Sequence, residues 1–312
     1  MSARLGFGVA LPNYGPLARP DALLRLARRA EALGVDSVWV ADHLVAPVEV
    51  ASVYPFDRSA NPKPGDMGVI EHFYEPLTTL AFLAGATERV RLGVSVYVMP
   101  YRNPVVTAKM VATLDALSGG RVIFGVGVGW LREEFAALGQ DARHRGRVTD
   151  EYLEVCRRLW RDEVASFAGR HYVLPAVRSG PKPVQRPLPP IWVGGNSQAA
   201  RERAVALGDG LHLIDLSPDE VAAHATELRA ALARAGRDPA SFTVSVRKGI
   251  LVRDADRDDD RPLYGTRDKI RRDVEAYADA GVGYLVSNLR QARSVEALEE
   301  ALAQAADAIL GA

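Results

Sequence analysis

The sequence contains only one cysteine, Cys156, which excludes an internal disulfide and a cysteine-based metal cluster. It also has no net charge, because lysine plus arginine and aspartate plus glutamate both number 39. Most proteins that bind nucleic acid or anionic membranes carry a basic excess. The charge balance therefore argues against both kinds of partner, although it allows a local basic pocket for one phosphorylated ligand.

Long apolar runs and targeting signals are missing as well. No run approaches the roughly 20 residues of a membrane span, and Met1–Leu5 has no secretory signal pattern ahead of the first predicted strand. We therefore expect a cytoplasmic protein. The six histidines do not cluster at metal-ligand spacing, so no metal site is predicted.

Short β-rich runs alternate with amphipathic helical stretches along the whole chain. The predicted strands are Gly6–Leu11, Ser37–Val40, Arg91–Val98, Val122–Val126, Ile191–Val193, Leu211–Ile214, Thr243–Val252 and Tyr284–Val286. The predicted helices are Asp21–Leu33, Pro76–Thr87, Pro104–Leu117, Thr149–Trp160, Gln198–Leu207, Pro218–Ala235, Arg267–Ala280 and Val295–Leu310. Several strands are apolar at nearly every position, as is typical of parallel strands buried on both faces.

About eight β-then-α units predict an α/β fold of one domain over residues 1–312, a closed (β/α)8 barrel of the TIM type. The alternative is an open doubly wound sheet. Such a sheet would more often carry a glycine-rich turn directly after its first strand, and here Pro12–Pro16 follows instead.

Two long segments interrupt this alternation. Val45–Tyr74 follows the second predicted strand and is rich in proline and glycine, and Glu163–Pro190 precedes the fifth. Loops of this length in a compact domain usually cover or bind a ligand. We expect Val45–Tyr74 to lie at the C-terminal rim of the barrel and to cover a site there. A fairly apolar pocket is indicated by Pro55, Phe56, Phe73, Tyr74, Tyr97 and Trp130. The alternative is that several of these side chains only pack the loop onto the barrel.

In a (β/α)8 barrel, catalytic groups gather at the C-terminal ends of the strands and in the loops that follow. That rule selects Asn13, Tyr14, Asp42, His43, Ser95, Val96, Tyr97, the Gly125–Trp130 turn, Gly194–Ser197 and Asp215. Asp42-His43 is the candidate acid–base element, because a histidine titrates near neutrality and a neighbouring carboxylate can fix its tautomer. The alternative is a hydrogen-bonded structural histidine.

Two glycine-containing turns predict contact with a flat, phosphorylated ligand. Gly194–Ser197 precedes a helix, and backbone N–H groups at a helix N-terminus form an anion site. An N-cap at Asn196 or Ser197 is a structural alternative that is compatible with this site. The glycines of Gly125–Gly129 resemble a dinucleotide fingerprint only superficially and fit a turn that brings the backbone against a flat ligand.

Taken in order, several motifs resemble the bacterial luciferase-like superfamily over essentially the whole chain. They are Leu33–Leu44, Ala86–Val96, Asn103-Pro104, Leu114-Asp115, Ser118–Arg121, Gly125–Trp130, Arg145–Arg147, Asp150-Glu151, Leu159-Trp160 and Pro190–Gly195. Asp42-His43 and Gly127–Trp130 are similar to the branch that uses the deazaflavin coenzyme F420. The resemblance implies a (β/α)8 barrel, often dimeric, that binds F420 or FMN.

The resemblance also implies roles for single residues. His43 is expected beside the reactive ring with Asp42, as the proton relay or substrate-orienting group. The implied cofactor-binding residues are Asp42, Ser95, Val96, Gly127, Val128, Gly129, Gly194, Gly195, Asn196, Ser197 and Asp215, with a non-prolyl cis peptide at Ser95-Val96 and the phosphate on residues 194–197. The implied substrate-pocket residues are Asn13, Tyr14, Tyr97 and Trp130.

One position departs from the sugar-phosphate dehydrogenases of this branch, which have a glutamate where this chain has Trp130. The departure argues against sugar oxidation. Glu133 or Glu134 is an alternative pocket carboxylate, although Glu134 fits the start of a helix better, where a carboxylate interacts favourably with the helix dipole.

Three functions are compatible with these residues. The first is hydride transfer between F420 and an unidentified organic substrate, since a deazaflavin has carbon where FMN has a ring nitrogen and reacts poorly with oxygen. The second is an FMN-dependent monooxygenase that uses O2 and reduced flavin from a partner reductase. The third is a non-catalytic flavin- or deazaflavin-binding protein. A homodimer with a small-molecule substrate is expected for either enzyme.

Overall fold

The computed structural model describes residues 4–56, 72–258, 261–290 and 292–311. The strands are β1 Gly6–Ala10, β2 Ser37–Val40, β3 Arg91–Val94, β4 Tyr97–Val98, β5 Val122–Gly127, β6 Ala165–Ala168, β7 Val173–Val177, β8 Ile191–Gly194, β9 Gly210–Ile214, β10 Thr243–Val252, β11 Tyr264–Gly265 and β12 Tyr284–Leu289. The α-helices are α1 Pro20–Ala32, α2 Pro76–Ala84, α3 Pro104–Leu117, α4 Arg132–Ala137, α5 Arg145–Arg161, α6 Gln198–Leu207, α7 Pro218–Arg234, α8 Arg267–Asp279 and α9 Val295–Leu310. Short 3₁₀ helices occur at Met99–Tyr101, Ala142–His144 and Pro239–Ser241.

Parallel strands close into a barrel. The order around it is β1, β2, β3 continued by β4, β5, β8, β9, β10 and β12, and β12 pairs with β1 to complete the circle. The most extended pairing sets residues 245–250 of β10 opposite residues 284–289 of β12. The predicted (β/α)8 barrel is therefore confirmed, and the six strand ends that carry candidate residues meet at one rim.

The helices form where the sequence supplies an apolar stripe and an N-terminal cap. Helix α1 buries Leu23 and Leu26 on one face, which is the spacing of an amphipathic helix. Pro76 and Pro104 occupy the first turns of α2 and α3, where a missing N–H costs nothing. These helices pack around the barrel and fix the positions of the strands.

The interior of the barrel is filled by aromatic side chains. Trp39 and Trp192 stack with their ring centroids 5.4 Å apart. Glycines on neighbouring strands leave room for them, since a Cβ at Gly93 would lie 2.3 Å from the Trp39 ring and one at Gly210 would lie 2.6 Å from the Trp192 ring. A ligand site must therefore lie above this packed layer, at the strand ends.

Some predicted elements differ from the observed ones. The single predicted strand Arg91–Val98 is interrupted between β3 and β4 at Ser95-Val96. Within Glu163–Pro190, β6 and β7 form an antiparallel hairpin whose strands are too short to give a clear periodic signal. In the part of the chain that the structure describes, no helix has the length and apolar character needed to cross a membrane.

Candidate functional site

A pocket of about 1920 Å³ lies at the C-terminal ends of the barrel strands. It exceeds the roughly 300–1,000 Å³ typical of pockets for drug-sized ligands. Of the predicted site residues, those in its wall are Tyr14, Asp42, His43, Ser95, Val96, Gly127, Val128, Gly129, Trp130, Gly194, Gly195, Asn196, Ser197 and Asp215. The fold thus brings together residues that follow six different barrel strands.

His43 lies in the wall of this pocket and forms a hydrogen bond with Glu134. The distance from His43 Nδ1 to Glu134 Oε2 is 2.6 Å, and Glu134 is completely buried. The same carboxylate accepts hydrogen bonds from the Leu44 N–H, at 2.6 Å, and the Tyr101 hydroxyl, at 2.9 Å. Burial acts to raise the pKa of Glu134, but these three donors outweigh it and the pKa lies below its ordinary value.

The charge state of Glu134 determines which nitrogen of His43 carries a proton. An ionised carboxylate accepts a hydrogen bond from His43 Nδ1–H, which leaves the second ring nitrogen, Nε2, for the pocket. The imidazole also packs edge-on against Phe73 and Trp130, with ring centroids 5.5 and 6.3 Å away. These contacts fix both the orientation and the tautomer of the ring.

The carboxylate that orients His43 is therefore Glu134 rather than Asp42, which corrects the sequence interpretation. Glu134 does lie in the first turn of α4, as expected, but its side chain points towards His43. Both carboxylate oxygens of Asp42 bind Arg102, each at 2.8 Å, and Oδ2 also accepts the Val98 N–H at 2.8 Å. The carboxylate of Asp42 thus joins Arg102 to the last residue of β4.

The Ser95-Val96 segment forms the floor of the pocket, and its peptide bond is cis, as the resemblance implies. Ser95 Oγ lies 2.8 Å from Nε2 of His212, whose Nδ1 lies 2.7 Å from Ser245 Oγ. Burial lowers the pKa of His212 to about 3, so this imidazole is neutral. Arg247 completes the floor by donating a hydrogen bond of 2.7 Å to the Ser95 carbonyl oxygen.

Val96 explains two of the glycines in the pocket wall. A Cβ at Gly127 would lie 2.4 Å from Val96 Cγ2, and a Cβ at Gly194 would lie 2.6 Å from Val96 Cγ1. The sequence interpretation assigns such glycines to close approach of a ligand. The structure shows a further reason for them, since the absence of a side chain at both positions makes room for Val96.

The predicted anion site lies at the N-terminus of α6. Ser197 is the N-cap and accepts the Ala200 N–H at 3.2 Å. The Asn196 amide binds both the carbonyl and the N–H of Ile214, at 2.8 and 2.9 Å. The N-cap named as the alternative is therefore Ser197, whereas Asn196 joins the turn to β9, and residues of the first turn of α6 lie in the pocket wall.

Two arginines at this end of the pocket, Arg145 and Arg203, are not among the ligand contacts predicted from the sequence. Arg203 forms an ion pair with Asp150. Arg145 donates a hydrogen bond of 2.9 Å from a terminal nitrogen to the Ala142 carbonyl oxygen, whereas its buried Nε has no partner among the described residues. A buried guanidinium N–H without a partner beside a helix N-terminus is suited to an anionic ligand group.

Two predicted substrate-pocket residues lie outside the pocket wall, which corrects that prediction. Asn13 is completely buried, and its amide nitrogen donates hydrogen bonds to the carbonyl oxygens of Ala41 and Tyr74. Tyr97 is also completely buried, with its hydroxyl 3.1 Å from Thr107 Oγ1. Tyr14 and Trp130 do line the pocket, and Tyr14 stacks on Phe73 at 5.0 Å.

The predicted lid, Val45–Tyr74, is only partly described, because residues 57–71 lie outside the described residues. Its first part is fixed to α4 by Glu133, which accepts the N–H groups of Ala51 and Ser52 at 2.8 and 3.0 Å. Tyr54, in the same part, contacts Trp130 with ring centroids 5.3 Å apart. Residues 51–56 therefore border the pocket beside His43.

Comparison with known proteins identifies the family. Residues 5–310 match the model of the luciferase-like monooxygenases, and the chain belongs to that family. An uncharacterised protein of Mycobacterium tuberculosis is 35% identical over 196 residues, which cover 63% of this chain and 66% of that protein. The FMNH2-dependent dimethylsulfone monooxygenase of Pseudomonas putida is 30% identical over 186 residues, covering 59% of this chain and 50% of that protein. The matches thus span about half to two thirds of the length of these relatives.

Solved structures support the same fold at lower sequence identity. The monooxygenase RslO1 of Streptomyces bottropensis superposes with a TM-score of 0.81 at 22% identity, covering 98% of this chain and 99% of that one. The coenzyme F420-dependent tetrahydromethanopterin reductase of Methanopyrus kandleri has a TM-score of 0.78 at 17% identity, covering 99% of both chains. The proteins that this chain resembles therefore include one described as FMNH2-dependent and one described as F420-dependent.

Proposed function

We propose that this protein is an F420-dependent oxidoreductase that transfers a hydride between F420 and an organic substrate. The observation that carries the proposal is His43, held by Glu134 at 2.6 Å in the wall of the pocket. The choice of F420 rests on the likeness of Asp42-His43 and Gly127–Trp130 to that branch of the family. When bound, F420 would supply a two-electron hydride carrier, and the protein supplies orientation and proton transfer.

The described residues fit such a cofactor. Gly194–Ser197 and the orphaned Nε of Arg145 would hold the phosphate at the start of α6. The floor formed by Ser95-Val96, where Gly127 leaves room for the Val96 side chain, would lie beneath the ring system. Val128, Gly129 and Asp215 also lie in the pocket wall, where they would border the cofactor.

His43 would move the proton that accompanies hydride transfer. Its neutral ring can accept a proton at Nε2 from a substrate hydroxyl, and the protonated ring can return one to a carbonyl oxygen. Glu134 holds Nδ1–H in both forms and stabilises the positive charge of the second. Tyr54, Phe73 and Trp130 surround this position and limit access of water.

A second candidate is an FMN-dependent monooxygenase supplied with reduced flavin by a partner reductase. The identity of 30% to the dimethylsulfone monooxygenase favours it, and the same phosphate site would accept FMN. The third possibility, a non-catalytic cofactor-binding protein, has less support because the His43–Glu134 pair is intact and faces the pocket.

The test is a pair of assays on the purified protein. In the first, oxidised F420 is incubated without oxygen with a panel of alcohols, and reduced F420 with the matching aldehydes and ketones, while the fluorescence of F420 is followed. In the second, reduced FMN is supplied with O2 and the same compounds. We expect a substrate-dependent change in F420 fluorescence in the first assay. Product formation only in the second assay, and only with oxygen, would show that the cofactor is FMN and not F420.

A further inference from the structure

The pocket carries a strong positive charge in a chain that has none overall. Basic side chains in its wall are Arg132, Arg143, Arg145, Arg203, Arg247, Lys248, Arg261 and Arg290, against the carboxylates of Asp42, Glu133 and Asp215. The chain as a whole has equal numbers of basic and acidic residues. Arg143, Arg203 and Lys248 are paired with Asp141, Asp150 and Asp215. The excess that remains in this concave site favours an anionic ligand.

Five of the eight basic residues fall into two groups that follow different barrel strands. Arg143, Arg145 and Arg203 belong to the segments that follow β5 and β8, beside the proposed phosphate site. Arg247 belongs to β10, and Arg290 directly follows β12. The strands of the second group, β10 and β12, are neighbours in the barrel, and β9 separates them from β8.

In the second group, Arg247 is held by hydrogen bonds, and the exposed Arg290 lies beside the same strand, β10. Arg247 donates hydrogen bonds to Asn288 Oδ1, at 3.1 Å, and to the Ser95 carbonyl oxygen. Arg290 lies over Gly249, where a Cβ would be 2.7 Å from its Nε. Within the described ranges neither guanidinium forms an ion pair, whereas the neighbouring Lys248 is paired with Asp215 at 2.7 Å.

Aromatic side chains adjoin these arginines. Tyr54 lies in the pocket wall together with Arg247 and Arg290. Its ring contacts Phe56 and Trp130 at centroid distances of 5.5 and 5.3 Å. The pocket thus has an aromatic surface and, in the same wall, the two guanidinium groups.

From this arrangement we infer that the substrate is an organic anion, whose negatively charged oxygen group binds Arg247 and Arg290 and whose apolar body lies against Tyr54 and Trp130. Guanidinium groups bind carboxylates and related oxyanions with paired hydrogen bonds. The inference rests on the proposed function only in taking this pocket to be the substrate site. It adds the chemical class of substrate to that function.

The test compares an acid with its neutral amide. Calorimetric titration of the cofactor-loaded protein with 3-phenylpropionate and with 3-phenylpropionamide is expected to give an affinity about tenfold higher for the acid. Arg290→Gln should weaken binding of the acid by about the same factor and leave the amide unchanged. The matched control is Arg293→Gln, which removes an exposed arginine outside the pocket wall and should change neither affinity.

Each outcome decides the inference. Equal affinity for acid and amide, absence of binding by both, or an Arg290→Gln protein that binds the acid normally would overturn it. So would a loss of F420 or FMN affinity in Arg290→Gln as large as the loss for the acid, since the arginines would then hold the cofactor. If neither cofactor binds, the proposed function fails. The titration with 3-phenylpropionate and 3-phenylpropionamide is then made on the cofactor-free protein, where it still decides the inference.

Discussion

At the level of single residues, the proposed proton transfer depends on the contact between His43 and Glu134. The two residues are separated by 91 positions in the chain, yet they form the 2.6 Å hydrogen bond that directs Nε2 of the imidazole to the pocket. Adjacency in sequence suggested Asp42 as the partner instead. Asp42 is occupied by Arg102 and Val98, a pairing that no local pattern reveals.

Replacing the proton-transfer group should therefore separate catalysis from binding. We expect His43→Ala to lower turnover by about 10²–10⁴-fold, because a positioned acid–base group contributes that much, while the Kd for the cofactor changes by less than about twofold. Steady-state kinetics and a fluorescence titration measure the two quantities. His224→Ala, on the outer helix α7, is the matched control.

Glu134→Gln gives a companion result, since a neutral amide cannot stabilise the protonated imidazole. Turnover should fall by about tenfold or more, with a smaller change in KM. If His43→Ala kept the turnover of the wild type, His43 would have no part in proton transfer, whatever the effect of Glu134→Gln on turnover.

The buried Nε of Arg145 leads to a second prediction, about the phosphate end of the pocket. Arg145→Gln should weaken FMN binding by about tenfold, the value of a charge-assisted hydrogen bond, and leave riboflavin binding unchanged because riboflavin has no phosphate. Arg147→Gln, on an exposed residue of the same helix, is the control. A parallel loss of affinity for both flavins would show that Arg145 supports the fold of the pocket and not the phosphate.

At the scale of secondary-structure elements, Glu31 of α1 connects the helix to the turn before β3. One carboxylate oxygen, Oε2, accepts the backbone N–H groups of Glu88, Arg89 and Val90 at 2.9, 2.7 and 2.9 Å. Burial acts to raise the pKa of Glu31, but these donors prevail and the pKa lies below the ordinary value of 4.5. Glu31 therefore stabilises the fold above that pH and loses the effect as the pH falls through the lowered pKa.

We predict that Glu31→Gln reduces the free energy of unfolding by about 1–3 kcal/mol near neutral pH. The difference from the wild type should shrink as the pH falls below 4.5, when the wild-type carboxyl also becomes neutral. Urea unfolding at several pH values measures it, with the exposed Glu88→Gln as control. A difference that stays constant with pH would contradict the role of the charge.

The sequence predicts those elements whose signals are local. The strand Ser37–Val40 and the helices at Pro104–Leu117 and Gln198–Leu207 have the predicted bounds, because apolar periodicity, an N1 proline or an N-cap serine specifies them. The hairpin of β6 and β7 carries no such period and is not predicted, and for α4 the sequence indicates only a helix start near Glu134, without bounds. Yet α4 supplies Glu134, which makes it essential to the site.

Other contacts of the site depend on strand order, which spacing in the sequence does not contain. His212 does leave a signal, as a lone titratable residue in an otherwise apolar strand, but its bonds to Ser95 and Ser245 join three barrel strands. Arg247 likewise reaches Ser95 across the barrel. Only closure of the barrel makes these residues neighbours.

At the scale of the whole molecule, the zero net charge conceals a strongly basic pocket at one end of the barrel. The overall balance argues against a polyanion as partner, and the concentration of arginines at the rim agrees with a small, multiply charged cofactor and an anionic substrate. The proteins similar to this chain include an FMNH2-dependent and an F420-dependent enzyme. The choice between them is the central claim of the proposal.

The most direct test is a fluorescence titration of the purified, cofactor-free protein with F420 and, separately, with FMN. The account predicts micromolar or tighter binding of F420 and much weaker binding of FMN. Preferential binding of FMN would contradict it and would make the monooxygenase, with its partner reductase, the better description of this protein.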